Sequence, residues 1–108
     1  MPIADLREWI AAVDEIGELS RVDGVNAETE LGGIVDLHQV DMGNPAVLFD
    51  QIVGYPSGHR LVANVLTSYP RLAVTLGLPA EYGPKDLVHA WRTQLKDLAP
   101  RPAELVDR

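Results

Sequence analysis

Three serines (Ser20, Ser57, Ser68) and three histidines (His38, His59, His89) are where covalent or metal chemistry in this chain would have to begin. Cysteine is absent, which removes disulfides, thiolate metal sites and cysteine nucleophiles. A serine nucleophile needs a base within hydrogen-bond reach, a third group to orient that base, and an oxyanion hole. None of the serines lies in a G-x-S-x-G turn, so no triad is expected. Asp36 and Asp41 bring carboxylates near His38, and His38 and Asp41 share a helix face at i, i+3. Both H-x-x-x-H and H-E-x-x-H are missing, however, and His38 reads as a partly buried residue on an apolar stripe.

Phosphate cradles fare no better. Gly54 and Gly58 flank a hairpin tip instead of a strand-to-helix turn, and neither a Walker loop nor G-x-G-x-x-G occurs. The acidic pairs Asp14-Glu15 and Glu28/Glu30 fall on exposed faces, where no burial would push their pKa values apart. Asn64, alone among apolar neighbours, is expected to tie down a nearby backbone or loop. Arg71 reads as a surface residue with its stem packed along a helix, or as one facing a partner domain. No catalytic, cofactor-binding or metal-binding residue is assigned.

The elements that would position these residues are legible from periodicity. Asp5 caps a first helix with Glu8 as its capping-box partner; Leu6, Trp9, Ile10, Val13 and Ile16 recur at helical spacing, and Gly17 stops the run. Glu18 to Val22 is a short extended candidate closed by Asp23-Gly24. A second helix is expected from about Glu28 to Met42, starting at Asn26 or Ala27, with Leu31, Ile34, Val35, His38 and Met42 on one side. Gly32-Gly33 implies either a later start or a neighbour close to the backbone, and close packing is the expectation.

Residues 46–53 and 59–68 form an antiparallel hairpin around the tip Gly54-Tyr55-Pro56-Ser57-Gly58, apolar on both faces and therefore covered on both sides by helices. Ser68 and Pro70 open a third helix that Gly77 and Pro79 end, and Gly83-Pro84 opens a fourth through Leu87, Ala90, Trp91 and Leu95. The pattern is two-layer α+β: a small mixed sheet, including the hairpin, packed by about four helices.

At 108 residues and 46% hydrophobic, one domain is expected, burying roughly two thirds of its unfolded surface. No run of about 18 apolar residues suggests a membrane span, and no basic-then-apolar leader precedes Leu6, so the cytoplasm is the expected address. Sixteen acidic against nine basic residues give a net charge of −7, which argues against nucleic acid as a partner.

The series DLREWI…GELSRVD followed by NPAVLFDQIVGYPSGHRLVANVLTSYPRLAVTLGLP resembles the N-terminal domain of the UbiD-type decarboxylases. The likeness runs in order over nearly the whole chain and is most specific from Pro45 to Pro79. It implies reversible, non-oxidative decarboxylation of aromatic, heteroaromatic or α,β-unsaturated carboxylic acids, with prenylated FMN as electron sink. It also implies a divalent metal, usually manganese, a potassium ion and the catalytic Glu/Arg group, all on a central split-barrel domain, with oligomerisation through a C-terminal region. None of these has a counterpart in the matched region, so no cofactor is expected on this chain. Residues 1–98 are then an N-terminal domain and 99–108 a linker toward the flavin-binding barrel, its expected partner, and the chain alone is expected to be inactive. The alternative is a free-standing, non-catalytic interaction module.

Overall fold

A computed structural model describes residues 3–106. Helix α1 (Leu6–Glu15) begins where Asp5 Oδ1 accepts from Glu8 N at 2.9 Å. The Glu8 carboxylate reaches back to Ala4 N, also at 2.9 Å, one residue beyond the cap. Trp9, Ile10 and Val13 are the buried side of this helix, and Gly17 ends it in the left-handed region at φ 77°.

Strand β1 (Leu19–Asp23) leads through α2 (Leu31–Val40) to β2 (Ala46–Asp50), which pairs with it in parallel. Strand β3 (Leu61–Ala63) pairs antiparallel on the other side of β2, giving the order β1-β2-β3. From Ala46 to Phe49 the central strand is buried on both faces, which is why it lacks polar alternation. Ala46 and Leu48 pack on Trp9, Ile10 and Val13. Val47 and Phe49 pack with Val25 and Ile52, against which Leu31, Ile34 and Val35 lie. The α+β class and the antiparallel pair are as expected, and the helices take both faces, so the layering is helix, sheet, helix.

Both hairpin strands are shorter than 46–53 and 59–68. Gln51 turns left-handed at φ 51°, and Ile52 drops into the α2-side core instead of continuing the ladder. Asn64 at φ 60° likewise ends β3 after Ala63. Residues 51–60 therefore connect the strands, a longer bend than the five-residue tip.

The second helix also starts later than expected, at Leu31. Asn26 organises a separate turn before it: its side chain accepts from Glu28 N (2.9 Å) and Thr29 N (3.2 Å), while Glu30 Oε1 accepts from Asn26 N (3.0 Å). A Cβ on Gly32 or Gly33 would meet nothing within 4 Å, so the expected close packing is absent. The glycine pair weakens the first turn of α2 and marks its late start.

Ser68 caps α3 (Tyr69–Thr75), and past its end Leu78 N returns to Ala73 O at 2.8 Å across a left-handed Gly77. Helix α4 (Pro84–Lys96) follows, with Asp86 Oδ2 accepting from Gly83 N. Leu87 is its one buried residue, and residues 98–106 are exposed without helix or strand. The radius of gyration, 17.2 Å, exceeds the roughly 13 Å of a compact chain of this length, because these C-terminal parts reach away from the body.

Candidate functional site

With β1 and β2 parallel and β3 antiparallel, the residues before β1, before β2 and after β3 meet at one end of the sheet. The polar side chains collect there around Arg71, which is fully buried. Its Nη1 donates to Asn44 O at 2.8 Å and to Glu18 Oε1 at 3.3 Å, and its Nη2 donates to the Thr67 hydroxyl. Ser68 Oγ donates to the same Glu18 oxygen at 2.6 Å and, as the α3 cap, accepts from Arg71 N.

Asn44, itself left-handed at φ 57°, donates through Nδ2 to Thr67 O at 2.8 Å. Asn64 donates to Pro45 O at 3.3 Å and accepts from Gln39 Nε2 at 2.6 Å, which is the backbone tie expected of it. Burial pushes the Arg71 guanidinium below its ordinary value, and Glu18 pulls it back up. Arg71 is therefore a buried staple and not the surface residue of the sequence reading. Its bonds go to the protein's own acceptors; Nε is the buried side-chain atom without a partner among the described residues.

A serine and a histidine are also brought together. The Ile34 carbonyl can only accept, so His38 Nδ1 donates to it at 2.7 Å and Nε2 accepts from Ser20 Oγ at 3.0 Å. A backbone carbonyl stands where a triad has its carboxylate, and Asp36 and Asp41 are exposed. Neither Ser20 nor His38 lines any of the cavities described below, so the pair locks α2 onto β1. His59 and His89 lie apart, on the hairpin connection and on α4. Among the described residues no group of three or more His, Cys, Asp or Glu could hold a metal ion, and no helix is long and apolar enough to cross a membrane. No chemical step is assigned to these residues.

Sequence reasoning missed the staple, although Arg71 is the one charged residue between Leu61 and Ala80. An isolated charge in so apolar a stretch is the signal that could have found it.

One apolar surface that the core does not use lies on α4. A groove of about 380 Å³ runs between Leu72 and Leu76 of α3 and Leu87, Val88 and Trp91 of α4. Along and beyond it Trp91 is 41% exposed, Leu95 47%, Val88 60% and Leu98 62%. A continuous apolar face of this kind marks a docking surface more often than free solvent-facing structure.

Comparison with known proteins gives this surface a context. Residues 10–91 match the 3-octaprenyl-4-hydroxybenzoate carboxy-lyase N-terminal domain. Phenolic acid decarboxylase of Bacillus subtilis (strain 168) is 36% identical over 84 residues, 75% of this chain and 17% of that protein. Vanillic acid decarboxylase (ShVdcCD) of Sedimentibacter hydroxybenzoicus, in an open form, superposes with a TM-score of 0.79 at 30% identity over 98% of this chain and 22% of that one. Its closed form gives 0.78 at 29% over 89% of this chain. The chain thus spans about a fifth of the length of the relatives it matches.

Proposed function

Since this chain belongs to the family of 3-octaprenyl-4-hydroxybenzoate carboxy-lyase N-terminal domains, the UbiD-type decarboxylases, we propose that it is the scaffold domain of such an enzyme. It docks through α4 onto a catalytic body that carries the chemistry. The body decarboxylates an aromatic, heteroaromatic or α,β-unsaturated acid, with prenylated FMN, a divalent metal and potassium, in the cytoplasm and as an oligomer.

The exposed apolar face of α4 carries this reading. Trp91, Leu95 and Val88 do not serve the domain's own core, and a helix of thirteen residues that buries only Leu87 has most of its apolar side to offer. Residues 99–108 act as the lead into that body.

The division of labour is tested by titrating the 108-residue chain with prenylated FMN and manganese. No saturable binding is expected. Tight, stoichiometric binding by this chain alone would overturn it.

A further inference from the structure

A second cavity, of about 240 Å³, opens between the start of α1 and β3. Leu6, Ile10, Leu48 and Leu61 form its apolar floor, and Arg7 and Arg60 flank it. The chain has sixteen acidic residues against nine basic ones, yet no carboxylate lines this cavity. Asp5 and Glu8, the nearest acids in sequence to Arg7, are engaged with the backbone at Glu8 N and Ala4 N.

Neither flanking arginine has an acidic partner among the described residues, where the ion pairs are Arg21–Asp14 and Arg71–Glu18. Leu6 and Leu61 are themselves exposed and present the apolar surface of the cavity to solvent, while Ile10 and Leu48 lie buried beneath them. Arg60 also lines a cavity of about 260 Å³ on the α2 side, but no second arginine stands there.

Guanidinium groups take a carboxylate through parallel N–H···O bonds, and an apolar floor takes the body attached to it. The volume lies below the roughly 300 to 1,000 Å³ of pockets for drug-sized ligands, which limits the guest to about one ring. We infer that the α1–β3 cavity is a binding site for a small apolar carboxylate of the single-ring aromatic acid class, with Arg7 and Arg60 holding the carboxylate and Leu6 and Leu61 the ring. A phosphate or other compact anion leaves that floor uncovered and is disfavoured. The site is separate from the α4 face and stands whether or not the chain docks a catalytic body.

Benzoate, titrated into the ¹⁵N-labelled 108-residue chain, tests the site, with benzamide as its neutral counterpart. Saturating shifts are expected at the amides of residues 6–10, 48 and 58–62, with a dissociation constant on the order of 1 mM. Benzamide and the R7Q/R60Q variant are each expected to give at least about tenfold weaker binding, the weakening scaled to the loss of charge-assisted bonds. Both arginines are exposed, so the variant keeps its fold, and its own spectrum reports that. Shifts elsewhere, no saturation, equal binding of benzamide, or wild-type affinity in R7Q/R60Q would overturn the assignment.

Discussion

Buried at the start of α3, the Arg71 guanidinium holds Asn44 O, Glu18 Oε1 and the Thr67 hydroxyl, three segments far apart in the chain. Glu18 is partly exposed and Arg71 is not, so losing the carboxylate strands the more deeply buried charge. Glu18→Ala is expected to destabilise the fold by about 3 kcal/mol. In the Glu18→Ala/Arg71→Met double variant the stranded charge is gone, and urea unfolding should give a coupling of at least about 1 kcal/mol; additive costs would contradict the staple. Asn64→Ala should cost about 1 to 3 kcal/mol, since it loses the bonds to Pro45 and Gln39 and puts alanine, which tolerates the left-handed region less well than asparagine, at φ 60°. Asn64→Gly should recover the backbone part of that cost in the same assay. The sequence marked Asn64 as out of place among apolar residues but read Arg71 as a surface residue or one facing a partner domain. It could not name their partners, because Glu18 lies 53 positions from Arg71 and meets it only through the parallel pairing of β1 and β2.

Helices were easier to read than strand ends, because a cap and a 3.6-residue stripe are local signals. Asp5, Ser68, Gly77 and Pro84 mark helix ends in the structure as they do in the sequence. The strand ends at Asp50 and Ala63 depend on Gln51 and Asn64 turning left-handed, which side-chain alternation does not record. The Gly32-Gly33 pair misled through the same gap: its meaning depended on what lies above it, and nothing does. Gly33→Ala is accordingly expected to raise stability by about 0.5 to 1 kcal/mol in thermal unfolding. A loss of stability would place a neighbour where the structure has open space.

At the scale of the whole molecule, the stretch from Pro45 to Pro79 was legible as a family signature because it builds β2, β3 and α3, with the fully buried Ala46 to Phe49 at its centre. The α4 surface was legible only as an amphipathic stripe, since a sequence does not say which stripes the core will use. Leu48→Ala is expected to cost about 2 to 5 kcal/mol, as a core deletion does. Trp91→Asp with Leu95→Asp should change stability by no more than about 1 kcal/mol, as surface changes do. The most direct test of the docking role is amide hydrogen exchange of residues 84–96, in the 108-residue chain and in the same chain joined to the catalytic body of a family decarboxylase. The α4 amides should exchange at least about tenfold more slowly in the joined protein, with the Trp91→Asp/Leu95→Asp variant restoring fast exchange, as expected of a face that gains burial only on docking. Equal exchange in both proteins would contradict the account and leave α4 as the free surface of an independent interaction module.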